Sequence, residues 1–148
     1  MGKDISLMID NVKLNIRVGV IFKYHDEVLI ELSSLGYNSV IPGGRLKINE
    51  KTYDTAIREI REEMSFNIEK DKLSYLGFLE EFFEIQNIPY HELYFIYNYL
   101  VNDNDYQKLK DIKKNLDNTN NYYEFIKINK LKEVNLLPEK LIEMIKAL

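Results

Sequence analysis

The sequence predicts a mixed sheet-and-helix domain, α/β (α+β) in class, and three observations predict it. Residues 12–22 alternate, with Val12, Leu14, Ile16, Val18, Val20 and Phe22 on one face and Lys13, Asn15 and Arg17 on the other, the pattern of a half-buried strand. Pro42-Gly43-Gly44 then turns into a stretch whose Tyr53, Ile57, Ile60 and Met64 recur at helical spacing. Two long runs rich in tyrosine and phenylalanine follow at 73–85 and 91–101, joined by a turn at 86–90. A chain of 148 residues is long enough to bury one substantial core, so a single domain over 1–148 is expected.

The remaining elements follow in order. Tyr24-His25-Asp26-Glu27 is a turn and Val28 to Leu32 the returning strand of a hairpin, with His25 an exposed turn residue. Residues 33–38 form a loop, and Ser39-Val40-Ile41 a short strand that runs into the glycines. Asn49 or Thr52 caps the helix. The aromatics of 73–101 fall on both faces, which predicts a hairpin covered on both sides. His91-Glu92 is a polar pair at a strand start. Residues 102–121 are polar and too long for a structureless loop; Tyr106, Leu109, Ile112 and Leu116 predict a short helix, read as a surface insertion in preference to a substrate lid. Residues 122–128 make a last strand, and 138–148 a closing helix with Leu141, Ile142 and Ile145 apolar.

Composition narrows the chemistry. With no cysteine, a disulfide framework, a thiolate metal site and a cysteine nucleophile are all excluded. The net charge of −4 argues against a nonspecific nucleic-acid binder, whose affinity needs a basic surface. No apolar run approaches the ~20 residues of a membrane-spanning helix, and no signal peptide is visible, so a cytoplasmic location is the default. Met1-Gly2-Lys3-Asp4-Ile5-Ser6 satisfies a loose acylation pattern, which nothing polybasic supports.

The helix carries the chemistry. Glu59, Glu62 and Glu63 stand at i, i+3 and i+4 and project from one side. At ~6 Å and an effective dielectric of about 20, each pair repels by roughly 3 kcal/mol. Such a cluster is either fully solvated, with Arg58 and Arg61 neutralising it, or gathered around a cation. Oxygen-only ligands suit Mg²⁺ or Mn²⁺.

Gly44, Glu50, Arg58, Glu59, Ile60, Glu62 and Glu63 stand in the register G-x5-E-x7-R-E-U-x-E-E, which resembles the Nudix box, and Pro42-Gly43 and Ala56 resemble the family as well. Ser65 stands where the family usually has glycine, and Phe66 fills the final apolar place. If that glycine serves a left-handed helix exit, Ser65 costs roughly 1 kcal/mol. The resemblance implies a Nudix-type α/β/α sandwich with a mixed central sheet. It also implies Mg²⁺-dependent hydrolysis (Mn²⁺ substituting) of a phosphoanhydride in a nucleoside diphosphate linked to another group. Carried over residue by residue, Gly44 (through its carbonyl), Glu59, Glu62 and Glu63 hold metal, and Glu50 supports them. Glu59 or a neighbouring glutamate is the base, with Arg58 orienting Glu59; the catalytic set is thus Glu59, Arg58 and Glu62. Arg45, Phe82, Phe83 and Tyr94 are the substrate-binding candidates, the rings by stacking on a nucleobase. The closing run around Phe125 resembles the end of many Nudix domains, where some relatives place an extra carboxylate, here Glu124. A nucleoside triphosphate pyrophosphohydrolase is the leading expectation. A hydrolase of nucleoside diphosphate sugars, ADP-ribose or dinucleotides, and a non-catalytic nucleotide-binding module, stay open. The partner is a small-molecule nucleotide, and a homodimer is the oligomeric expectation.

Overall fold

The sheet grows from the alternating strand read at 12–22. In the computed structural model, which describes residues 2–36 and 38–148, that strand is β2 (Val12–Tyr24). Met1 of the acylation pattern and Tyr37 of the 33–38 loop lie outside the described residues. The other strands are β1 (Ser6–Ile9), β3 (Glu27–Ser33), β4 (Gly43–Arg45), β5 (Leu73–Ile85), β6 (Ile88–Leu100) and β7 (Asn121–Lys127). The helices are α1 (Thr52–Met64), α2 (Asp103–Asp111) and α3 (Lys140–Lys146). The strands run in the order β5-β6-β2-β3-β7, with β1 and β4 each paired to β2. β2 and β6 are parallel from Lys13↔Tyr90 to Lys23↔Leu100, and the other pairings between these strands are antiparallel, so the sheet is mixed.

Alternation divides the interior into two cores. Val18, Val20 and Phe22 of β2 pack with Ala56, Ile60 and Met64 of α1 and Leu109 of α2. Ile21 faces the other way and packs with Leu141, Ile142 and Ile145 of α3. Helices therefore cover both faces, and the sandwich the resemblance implied is the observed fold. No helix among the described residues is long and apolar enough to cross a membrane.

β2 and β3 pair only next to their turn, at Lys23↔Val28 and Tyr24↔Glu27. Beyond it they part, and β4 takes the vacated edge of β2 at Arg17↔Arg45, Val18↔Gly44 and Gly19↔Gly43. Val40 bridges back to Glu31. The glycine turn thus lies where the sheet opens, with α1 directly after it.

Several expectations need correction. The short strand expected at 39–41 begins instead at Gly43, because Pro42 has no N–H to donate and Ser39 and Val40 make only isolated bridges. Neither proposed cap is used: Lys51 holds the N-cap position without a side-chain bond, the Thr52 hydroxyl pairs with Tyr97 OH at 2.8 Å, and Asn49 occupies a left-handed turn at φ 65°. The β5–β6 turn contracts to Gln86-Asn87, with φ of 52° and 66°, so Ile88, Pro89 and Tyr90 belong to the strand. A similar left-handed pair, Asp10-Asn11, folds back the unanticipated β1.

The hairpin is not covered on both sides. β5 is an edge strand, and Tyr75, Phe78, Phe82 and Ile85 are exposed. Lengths explain this: 13 residues of strand reach ~43 Å, whereas 13 residues of helix reach ~20 Å, so α1 cannot span the hairpin.

Ser65 ends α1 in the left-handed conformation, φ 52° and ψ 30°, with its N–H on the Arg61 carbonyl at 3.0 Å. Glycine is free of the Cβ strain there, partly offset by its greater freedom in the unfolded chain. Ser65→Gly is expected to stabilise the protein by about 1 kcal/mol in urea unfolding. A lower urea midpoint for the variant would contradict the strain assigned to this helix exit.

Candidate active site

The carboxylate edge of α1 is organised by one buried cation. Arg58, 4% exposed, grips Glu50 with two bonds, Nε to Oε2 at 2.7 Å and Nη2 to Oε1 at 2.9 Å. Nη1 donates to Glu59 Oε1 at 2.7 Å and to Glu62 Oε2 at 3.3 Å, and Nη2 reaches the Arg45 carbonyl at 3.1 Å. Glu50 also accepts from the Thr55 hydroxyl and the Lys47 N–H. Bonding to Arg58 leads the causes that hold its carboxyl at about 2. A fixed loop–helix junction results, with Glu59 aimed by its neighbour.

Glycine at position 44 is a steric requirement of that aim. A Cβ there would collide with the Glu59 carboxylate, and one at Gly43 with the Val18 carbonyl. The turn is bare so that β4 can lie against β2 and Glu59 against β4.

Glu63, one turn on, meets a different environment. Its Oε2 accepts from Asn115 Nδ2 at 2.7 Å, and the same nitrogen donates to Glu31 Oε2 at 3.2 Å. Asn121 Nδ2 also donates to Glu31 Oε2, at 2.7 Å. Burial pushes the Glu63 carboxyl up to about 8, with the Glu31 and Glu59 charges adding to it. Burial raises Glu59 as well, against the pull of Arg58.

The donor set fits a hard divalent cation. It is all oxygen, and Glu63 Oε1 is buried with no hydrogen-bond partner among the described residues. The side chains do not stand as a ready-made cage: among the described residues no three His, Cys, Asp or Glu groups are gathered as a metal site. Arg58 draws Glu59 and Glu62 to one side while Asn115 holds Glu63 on the other.

Beside this edge lies a cavity of about 640 Å³. Arg45, Phe82, Phe83 and Tyr94 all line it, together with Arg17, Glu81 and Glu92. Phe83 stacks on Tyr90 at 5.1 Å, and Phe82, 71% exposed, sits edge-on to His91. Three buried polar atoms in this lining have no partner among the described residues: Arg45 Nε, Glu81 Oε1 and the Tyr94 hydroxyl. The Tyr94 hydroxyl fits because Gly19 has no side chain in its path.

Of the residues singled out in the sequence, the structure brings Gly44, Glu50, Arg58, Glu59 and Glu62 together, with Glu63 on the Asn115 side, and gathers the four substrate candidates in one cavity. It does not bring Glu124 to them. That residue is exposed on β7 opposite Ile30 and lines a separate cleft of about 460 Å³ with Tyr106 and Lys110. The strand acid that faces Glu63 is Glu31, because β3 turns Leu29 and Glu31 toward α1 and Ile30 away. Sequence reasoning missed Glu31, Asn115 and Arg17. An acid at an inward position of β3 was a legible signal. Arg17 falls on the polar face of the alternating strand, yet it lines the cavity, has no carboxylate among the described residues within ion-pair distance, and lies in the field of Glu92, Glu63 and Glu31.

Comparisons with known proteins agree with this architecture. A family model described as "NUDIX domain" matches residues 14–146. No curated protein matches the chain by sequence. Among solved structures, the mutator MutT protein from Bacillus halodurans is similar with a TM-score of 0.67 and 17% identity, over 88% of this chain and 79% of that one. The C. elegans Ap4A hydrolase binary complex gives 0.61 and 17%, over 90% and 95%. The MutT protein from Methanosarcina mazei Go1 gives 0.60 and 18%, over 90% and 91%.

The two ends of the carboxylate edge titrate in opposite directions. Glu63 is raised from 4.5 to about 8, so its contribution is complete below ~4.5 and is lost as pH rises through 8. Glu50 is lowered from 4.5 to about 2, so its contribution is present above ~4.5 and is lost as pH falls through 2. In EDTA the thermal midpoint should therefore decline by several degrees from pH 5 to pH 8, and Glu63→Gln should flatten the decline. A flat profile for the parent protein across that range would contradict the assignment.

Proposed function

The chain belongs to the Nudix family and is a Nudix hydrolase acting on a phosphorus-containing anhydride, and from that premise we propose its substrate class and the part each residue plays. The reading is divalent-metal-dependent hydrolysis, with Mg²⁺ preferred and Mn²⁺ substituting, of a nucleoside diphosphate linked to another group. A nucleoside triphosphate cleaved to monophosphate and pyrophosphate leads. The observation that carries it is the Arg58-ordered acid edge, joined through Arg45 to a cavity in which three buried polar atoms have no partner among the described residues.

Glu59, Glu62, Glu63 and the Gly44 carbonyl would hold the cation, with Glu50 acting through Arg58. A cation held there would supply charge neutralisation at the phosphates and lower the pKa of water. Glu59, steered by Arg58, takes the proton from the attacking water. Arg17 and Arg45 meet the phosphates, Phe82 and Phe83 offer faces to the base, Tyr94, its ring buried against Gly19, offers its hydroxyl, and Glu81 and Glu92 accept the N–H groups of the base. Glu124 takes no part.

A second reading, a nucleoside diphosphate conjugate or dinucleotide, is favoured by one feature. The aromatic wall at Phe82 is open to solvent, which leaves room for a further group. A non-catalytic binding module is disfavoured because no carboxylate of the box is lost. We retain a cytoplasmic homodimer, acting on small nucleotides and not on nucleic acid or membranes, as part of the proposal.

Nucleotides and nucleotide conjugates should be screened with Mg²⁺ in ¹⁸O water and the labelled phosphorus identified. Label in inorganic pyrophosphate or in the monophosphate supports the triphosphate reading and fixes the bond attacked; turnover confined to conjugates moves the assignment to the second. Glu62→Gln and Glu63→Gln are expected to lower kcat by about 10² or more, and EDTA to abolish turnover. Hydrolysis that persists in metal-free buffer would overturn the mechanism. Arg17→Gln is expected to raise KM about tenfold, the loss of one charge-assisted bond of ~1.5 kcal/mol, with kcat little changed. An unchanged KM removes Arg17 from the phosphate site.

A further inference from the structure

The segment between α2 and β7 does more than cover the sheet, and we propose that Asn115 within it is a positioning residue for hydrolysis. It holds Glu63 of α1 and Glu31 of β3 at a set separation for the cation. This rests on the hydrolase reading above.

The geometry is specific. Asn115 is 1% exposed, and its amide nitrogen serves two carboxylates from different elements, at 2.7 and 3.2 Å. Two protons on one nitrogen match two acids that would otherwise repel across the opening between β2 and β3. The carbonyl end of the same side chain accepts from the N–H groups of Asp117 and Asn118, at 2.8 and 3.1 Å, and closes a tight turn. The turn is fixed on both flanks. Leu116 N–H donates to the Glu63 carbonyl at 2.9 Å, Asn115 N–H to the Asn121 carbonyl at 3.1 Å, and Tyr123 N–H to the Lys113 carbonyl at 2.9 Å. One amide therefore ties helix, strand and connecting segment together at Glu63, whose other oxygen has no partner among the described residues. Partners that orient a metal-holding carboxylate commonly change metal affinity 10–100-fold when removed.

The two ends of the side chain separate a positioning role from a merely structural one. Asn115→Thr keeps a short hydroxyl that can accept from the turn but cannot reach Glu63. Asn118→Ala disturbs the same turn, since Asn118 Oδ1 accepts from Asn120 N–H, and leaves the carboxylates untouched. With folding checked by circular dichroism, Mn²⁺ affinity is measured by electron paramagnetic resonance on each full-length protein, without substrate. Asn115→Thr is expected to weaken Mn²⁺ binding tenfold or more, and Asn118→Ala to leave it within about twofold. Equal affinity in the parent and Asn115→Thr, or equal weakening in both variants, overturns the positioning role while the hydrolase reading stands. A parent protein that binds no Mn²⁺ overturns the hydrolase reading and this inference with it. If Asn115→Thr fails to fold, Asn115→Ser, measured in the same way, decides between the same outcomes.

Discussion

A buried guanidinium bonded to three carboxylates and a backbone carbonyl is the constraint on which the site depends. Arg58 joins the loop that leaves β4, through Glu50 and the Arg45 carbonyl, to its own helix, through Glu59 and Glu62. Removing one partner of such a buried pair typically costs about 3–5 kcal/mol, because the other charge is left without compensation. The bidentate grip on Glu50 also fixes a plane, which a lysine could not do. The direction of α1 over the sheet and the angle at which Glu59 meets the glycine turn thus have one physical cause.

Against that ordered side stands a less comfortable one. Glu63 and Glu31 approach each other where β2 and β3 part, in surroundings that disfavour charge on Glu63. The fold tolerates them through amides from Asn115 and Asn121 and through the proton that burial keeps on Glu63. On the proposed mechanism, stability and catalysis pull on the same atoms here: what stabilises the folded chain is neutral Glu63, and what a cation would require is its anion. The cavity repeats the theme at lower intensity, with Arg45, Glu81 and Tyr94 each keeping a buried polar atom unmatched among the described residues.

The parts legible in the sequence were those written in local spacing. Period-two alternation located β2, period-3.6 apolar spacing located α1, and the box register named Arg58, Glu59, Glu62 and Glu63 before any coordinates. Ser65 was legible in the same way, and its left-handed backbone follows from its place at the helix end. What escaped depended on tertiary approach. Glu31 and Asn115 are 84 residues apart and meet only because β7 returns beside β3. Arg17 looked like a solvent-facing residue because alternation reveals which face a side chain takes, not whether a cavity roofs that face. Glu124 stands apart from the α1 acids for a related reason: it pairs with Ile30, on the face turned from α1, and a one-residue step along a strand reverses the face. The covering of the β5–β6 hairpin was misjudged because aromatic content reports a need for burial and says nothing of how far the neighbouring helices extend.

That overhanging hairpin has an evolutionary consequence. Phe82, Phe83 and Tyr90 stand on a projection that the two cores do not include, whereas Arg58, Ala56 and Ile60 are embedded beside one of them. Exchanges at the projecting rings leave the interior packing intact and alter only what can rest against them. Selection can therefore remodel the preferred guest by drift along β5 and β6 without renegotiating the reaction centre. On the proposed roles, the bound group can change through β5 and β6 while the acid edge of α1 stays as it is.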